Sequence, residues 1–147
     1  MKEKRILVVE DDYQQAQWLL GDLKRKYKTA PELIMTEHQF RKRLDKIEKE
    51  PPWDVAIIDI MLPWTEPHPE QEPMPEDIKK DGKYRAGFRC QTLLAEKQET
   101  KDLPVILYSM LDEKALHTEL GDLPDHIVFL PKRSKTDKLI DMIDSLT

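Results

Sequence analysis

The chain has a single cysteine, Cys90, so no internal disulfide can form. That usage suits a reducing compartment. No apolar run approaches the ~20 residues that a membrane-spanning helix needs. The charged start, Met1-Lys2-Glu3-Lys4-Arg5, leads into an apolar stretch too short for a signal-peptide core. Basic residues are not in excess: 24 Lys and Arg face 29 Asp and Glu, for a net charge of -5. This argues against general nucleic-acid binding. The four histidines, His38, His68, His117 and His126, lack the spacing of metal ligands and read as structural or exposed. No internal repeat is present. These absences leave a soluble cytoplasmic protein as the expectation, and 147 residues favour one domain with one core.

What the chain does have is acid at the ends of apolar runs. Val55-Ala56-Ile57-Ile58 leads into Asp59, and Ile6-Leu7-Val8-Val9 leads into Glu10-Asp11-Asp12. Continuous β-branched runs of this length read as strands buried on both faces. A carboxylate within such a strand is costly to desolvate. At the strand's C-terminal tip it lies where open α/β sheets bind ligands. Two buried strands that finish in acid point to a shared acidic pocket.

The rest of the pattern alternates strand and helix. A first strand is expected over about Arg5 to Val9. The helix after it carries Ala16, Leu19, Leu20, Leu23 and Tyr27 at helical spacing, with Asp11 or Asp12 as N-cap. A short strand at about Glu32 to Met35 precedes Thr36 and Gln39, a capping-box pair. Phe40, Leu44 and Ile47 then form the stripe of a second helix that Pro51-Pro52 stops. The third strand is expected from Asp54 to Ile60. A third helix, from about Ala86 to Lys97, buries Cys90, Leu93 and Leu94, so packing is favoured over redox chemistry for Cys90. Strands follow at Pro104 to Tyr108 and His126 to Leu130, separated by a short helix at about Asp112 to Leu120. Ser134 and Asp137 open a last helix with Leu139, Ile140, Ile143 and Leu146 on its stripe. Strands and helices alternating in this way imply a parallel sheet covered on both faces. Trp18 and Trp53 read as packing residues.

One segment breaks the rhythm. Between about 64 and 85 lie Pro67, Pro69, Pro73 and Pro75, many charges and few aliphatic residues. No regular helix or central strand runs through those prolines. A loop this long in a compact domain is unusual, and such loops are often functional or disordered; the two readings of it are a tolerated surface excursion and a lid or partner-docking arm. It leaves the same sheet edge as Asp59, with Trp64, Met74, Ile78 and Tyr84 as candidate anchors. Trp64 either anchors the loop or covers the site.

Glu10, Asp11 and Asp59 brought together repel one another unless a cation intervenes. Magnesium suits them: it is hard, prefers oxygen, and commonly uses one or two carboxylates plus phosphate oxygens. Ser109 ends the fourth strand and Lys132 follows the fifth; a hydroxyl and a point cation are suitable partners for phosphate. Together these groups suit a phosphoryl group carried on Asp59.

With these residues in view the chain resembles the receiver domain of two-component response regulators. The matching segments are Ile6-Leu7-Val8-Val9-Glu10-Asp11-Asp12, Ile57-Ile58-Asp59-Ile60-Met61-Leu62-Pro63, Pro104-Val105-Ile106-Leu107-Tyr108-Ser109 and Phe129-Leu130-Pro131-Lys132. The resemblance implies a flavodoxin-like, doubly wound (βα)5 fold with strand order 2-1-3-4-5. It implies phosphotransfer to Asp59 from a sensor histidine kinase or a phosphotransfer protein, and no activity beyond phosphorylation and dephosphorylation of that aspartate. Glu10 and Asp11 become the acidic magnesium pair, with Asp59 and the Met61 backbone carbonyl completing the metal set. Ser109 becomes the switch hydroxyl, Lys132 the phosphate-contacting lysine and Phe129 the aromatic switch residue. Phosphorylation would then alter the face made by the fourth helix, fifth strand and fifth helix, where a downstream protein binds. Homodimerisation is left open. With no output module after Thr147, the resemblance is to stand-alone, chemotaxis-regulator-like members that act through another protein.

The chain departs from the family in several places. Arg133 stands after Lys132 where proline is usual, and Pro131 precedes it. Met110 occupies a normally small position beside Ser109 and is expected to narrow access. Met61 and Leu111, at positions that tune dephosphorylation, are apolar and cannot hold an attacking water. Gly87 matches the family glycine, after an insertion of about twenty residues. These departures favour an alternative, a receiver-like scaffold that binds partners without phosphate. A third class, magnesium-dependent phosphohydrolases with an aspartyl nucleophile, needs a second Asp where Met61 stands.

Overall fold

A computed structural model describes residues 4–28, 30–47, 53–65, 74–81, 85–110, 114, 124–132 and 136–147. The elements in chain order are β1 (Ile6–Val9), α1 (Tyr13–Tyr27), β2 (Glu32–Ile34), α2 (Glu37–Leu44), β3 (Val55–Ile58), α3 (Glu76–Asp81), α4 (Ala86–Glu96), β4 (Val105–Ser109), β5 (Ile127–Pro131) and α5 (Thr136–Leu146). The five strands form one sheet in the order β2-β1-β3-β4-β5. Every neighbouring pair is parallel. This is the flavodoxin-like order that the resemblance implied. Apart from Lys114, the fourth expected helix, about Asp112 to Leu120, lies outside the described residues, as do Pro51, Pro52, Ser134 and much of the proline-rich segment. Among the described residues no helix is long and apolar enough to cross a membrane.

The apolar strands serve two cores because successive side chains point to opposite faces. Leu7, Val9, Ala56, Ile58, Val105 and Leu107 meet Phe40 and Leu44 of α2 and Phe88, Cys90 and Leu94 of α4. Ile6, Val8, Val55, Ile57 and Ile106 meet Leu19 and Leu23 of α1 and Leu139 and Ile143 of α5. A sheet covered on both sides has no polar face, so its strands carry no alternation in sequence. Burying each such side chain contributes about 1.5–3 kcal/mol.

The helices start where their caps allow. Asp12 Oδ1 accepts the Gln15 N–H at 3.0 Å, which fixes the N-terminus of α1 and leaves Asp11 outside the capping role. Thr36 Oγ1 accepts the Gln39 N–H at 3.1 Å, while Gln39 Oε1 reaches back to the Met35 N–H at 3.1 Å. The buried stripe of α1 is Ala16, Leu19, Leu23 and Tyr27. Trp18 falls one residue off that stripe, about 100° around the helix, and is 64% exposed; it is not a packing residue. Trp53 is buried. α2 ends at Leu44, with Ile47 buried in the turn that follows, before Pro51 is reached. β3 ends at Ile58, so Asp59 lies just past the strand instead of inside it.

The inserted segment contains a helix that prolines do not forbid. α3 begins immediately after Pro75, whose carbonyl accepts from the N–H groups of Ile78 and Lys79 at 3.1 Å each. Ile78 is buried. The segment's start is anchored as well. Trp64 is buried, its ring centroid 5.1 Å from that of His38 and 5.6 Å from the Arg41 guanidinium. Anchoring on α2 is therefore the placement of Trp64.

Gly87, in the first turn of α4, is demanded by close approach. A Cβ there would lie 2.5 Å from both Asp59 O and Ile60 Cα. The Gly87 N–H donates to Ile60 O at 2.7 Å. Gly87→Ala is expected to destabilise the protein by about 2 kcal/mol, read from urea unfolding, because backbone on both sides must shift.

Candidate functional site

Parallel strands bring their C-terminal ends to one edge, and the chemistry-bearing residues gather there. Glu10 follows β1, Asp59 follows β3, Ser109 ends β4 and Lys132 follows β5. Backbone hydrogen bonds fix each of these junctions. The Glu10 N–H donates to Ile34 O at 3.0 Å, Asp59 N–H to Val9 O at 2.9 Å, and Lys132 N–H to Ser109 O at 2.8 Å.

Lys132 Nζ lies 2.6 Å from Glu10 Oε2 and 2.8 Å from Asp59 Oδ2. All three side chains are buried. The second oxygen of Glu10 accepts the Asp12 N–H at 3.1 Å, and that of Asp59 accepts the Met61 N–H at 3.4 Å. Asp11, exposed at the rim, joins them: Glu10, Asp11 and Asp59 each offer an oxygen within 4.8 Å of the others. Among the described residues this is the one group of such ligands. Burial, then repulsion by Asp59, pushes the Glu10 carboxyl up to about 7. The same two causes raise Asp11. Burial alone would lower the Lys132 ammonium, but hydrogen bonds to Asp59 and Glu10 outweigh it and raise its pKa.

Three carboxylates against one ammonium leave the cluster short of positive charge. The donors are all hard oxygens, with no nitrogen or sulfur ligand among them, which is the set a small divalent cation such as magnesium prefers. Met61 is 44% exposed beside Asp59, with its amide already turned to the carboxylate.

The remaining expected residues fall close by. Ser109 is buried and pairs with Pro131 across the β4–β5 ladder. Phe129 pairs with Leu107 two positions earlier, half-buried against the core beneath α2 and α4. Ser109 and Phe129 therefore lie on the same face of the sheet. Met110 does not close the site: it is 75% exposed and lines, with Glu10, Trp18, Tyr108 and Lys132, an open cleft of about 250 Å³. Leu111 and Arg133 lie outside the described residues. Cys90 is fully buried, its thiol pushed up by burial and by the charge of Glu37, which fits packing.

Sequence reasoning missed Glu37 and Arg89. Glu37 is fully buried at the start of α2 and holds Arg89 of α4 by two hydrogen bonds, 2.8 Å to Nε and 2.7 Å to Nη2. The clue was available, since Glu37 stands three residues before Phe40 on the buried stripe.

No family model and no curated protein matches the chain. Solved structures do. The signal receiver domain of a signal transduction histidine kinase from Syntrophus aciditrophicus superposes with TM-score 0.67 at 22% identity, over 97% of this chain and 89% of that one. The Francisella response regulator 1452 receiver domain gives 0.65 at 21% identity, over 98% and 96%. The non-phosphorylated HemR receiver domain from Leptospira biflexa gives 0.63 at 22% identity, over 98% and 94%. This chain has the receiver fold. Within the receiver fold, the acidic cluster occupies the strand-end crevice that open parallel sheets use for ligands.

The raised Glu10 pKa sets a pH dependence. The folded carboxyl holds its proton up to about 7, whereas the unfolded one loses it near 4.5, so the folded state binds more protons in between. Stability in chelator is therefore lost as pH rises through that window. Asp11 acts in the same direction. The raised Lys132 pKa contributes stability that is lost only above its ordinary 10.5, outside the window. The melting temperature is expected to fall by roughly 5 °C between pH 5 and pH 8, and Glu10→Gln to flatten the fall.

Proposed function

We propose that this chain is a phosphoacceptor of a two-component phosphorelay, taking a phosphoryl group on Asp59 from a sensor histidine kinase or a phosphotransfer protein. The supporting observation is the bridge of Lys132 between Glu10 and Asp59, with Asp11 completing three carboxylates at the strand-end edge. In transfer, a carboxylate oxygen of Asp59 forms the new O–P bond as the donor's P–N bond breaks. The Asp59 backbone is tied to Val9 O, and its carboxylate is placed by the Met61 N–H and Lys132, which limits how that oxygen meets the incoming group. Glu10, Asp11, Asp59 and the Met61 carbonyl would hold magnesium, which would supply neutralising charge for the transferred group. Lys132 moves from bridging two carboxylates to contacting a phosphoryl oxygen.

On this reading the chain is a cytoplasmic regulator formed as one receiver domain with an inserted arm, and it is not an enzyme with turnover on an external substrate. Phosphorylation adds roughly -1.5 to -2 charges to the site. Ser109 turns its hydroxyl toward the new oxygens, and Phe129, on the same sheet face, fills the space released. The face that includes β5 and α5 then changes toward a downstream protein. The phosphate-independent scaffold is separated from this reading by beryllofluoride with magnesium. Partner binding indifferent to that mimic and to Asp59→Ala would establish the scaffold.

The direct test is incubation with acetyl phosphate and magnesium, followed by intact-mass measurement. One phosphoryl adduct is expected on the wild type and none on Asp59→Ala; an unmodified wild type overturns the proposal. The adduct is expected to persist for minutes or longer, because the apolar Met61 side chain beside Asp59 cannot orient an attacking water. A half-life of seconds in purified protein would contradict this.

A further inference from the structure

We propose that Glu37 and Arg89 are positioning residues that hold the Asp59 loop in its phosphoryl-accepting geometry; the proposal rests on the function argued above. Glu37 opens α2 and Arg89 lies in the first turns of α4, so their two-bond pair ties these helices together. Both helix starts grip the short segment after Asp59. Two residues before Arg89, the Gly87 N–H donates to Ile60 O at 2.7 Å. On the other side the Glu37 N–H donates to Pro63 O at 3.0 Å and the His38 N–H to Trp64 O at 2.8 Å. Segment 60–64 is thus held at one end by α4 and at the other by α2, and the Glu37–Arg89 pair fixes the distance between the two grips. Inside the segment, the Met61 N–H reaches Asp59 Oδ1 at 3.4 Å.

The pair's chemistry fits positioning better than simple cohesion. The Glu37 side chain is 1% exposed and that of Arg89 13%. Arg41 adds a third contact at 3.2 Å, so the carboxylate is held by two guanidiniums. Taking such charges out of water offsets most of their attraction, and apolar residues of similar volume commonly hold two elements together as well. What apolar residues lack is the fixed geometry of a two-bond guanidinium–carboxylate pair. Here that geometry links the two helix starts that grip the segment following Asp59.

The test separates cohesion from geometry. The double variant Glu37→Leu/Arg89→Met keeps volume and removes the pair; Arg89→Lys keeps the charge and loses the fork. The readouts are thermal melting, acetyl phosphate labelling rate in saturating magnesium, and hydrogen exchange of the Gly87 amide by NMR. For the double variant the expected result is a melting temperature near wild type, labelling slowed roughly tenfold and faster Gly87 exchange. Arg89→Lys should fall between the two, and it carries the test if the double variant does not fold. Wild-type labelling and wild-type Gly87 exchange in a folded variant overturn the proposal. A wild-type protein that accepts no phosphoryl group defeats the functional reading instead. The clamp is then judged by Gly87 exchange, and unchanged exchange in a folded variant rejects it too.

Discussion

Lys132 sets a single ammonium between two buried carboxylates, Glu10 and Asp59, and the strand-end edge is organised around that bridge. Neither acid could be held ionised in a dry interior without a partner. Both are placed there by the sheet: each follows an apolar strand whose last residues are locked to their neighbours by parallel pairing. Lys132 arrives from the opposite side of β3, two strands away, because β5 is the sheet's other edge. The compensating charge therefore depends on the full strand order and not on any local motif. One ammonium still leaves three acids under-neutralised, and burial, then repulsion by Asp59, pushes the Glu10 carboxyl up to about 7. Such a cluster of hard oxygens suits additional positive charge, which is what makes it consistent with a divalent-cation site.

Much of this was legible in the sequence, for identifiable reasons. Strands buried on both faces are conspicuous as unbroken runs such as Val55–Ile58, and acids at their ends mark the edge of the sheet. The strand order came from resemblance, since periodicity alone does not order strands. The errors are local and have local causes. Trp18 was read as core because large aromatics usually are, yet helical phase places it outside the stripe that includes Leu19. Met110, expected to narrow access, does line the cleft beside Glu10 and Lys132, but at 75% exposure it leaves that cleft open. The prolines rule out a helix running through them, and α3 respects that by starting at Glu76, just past Pro75.

The pairing of Glu37 with Arg89 was illegible for a different reason, although the phase of Glu37 with Phe40 hinted at its burial. They are 52 residues apart, and a buried carboxylate looks in sequence like any acid in a helix's first turn, where it is favoured anyway. Only tertiary structure distinguishes a solvated helix-start glutamate from one enclosed by two arginines. The same holds for Gly87. Its presence is visible, but its purpose appears only when the backbone of Asp59 is found against the position its side chain would occupy.

The inserted segment illustrates how a long loop is accommodated next to a demanding site. Loop-closure entropy grows slowly, by about 0.6 kcal/mol for each doubling of length, so length itself is a weak constraint. Mechanical isolation matters more, because an untethered arm would pull on Asp59 through only a few bonds. The chain leaves the site through Pro63 and Trp64, whose carbonyls are held by the first N–H groups of α2 and whose indole is buried against His38 and Arg41. Those N–H groups lack intrahelical partners in any helix, so the tether satisfies donors that would otherwise need water. The arm therefore starts from a fixed post on α2, and the geometry of Asp59 is set before its first proline is reached.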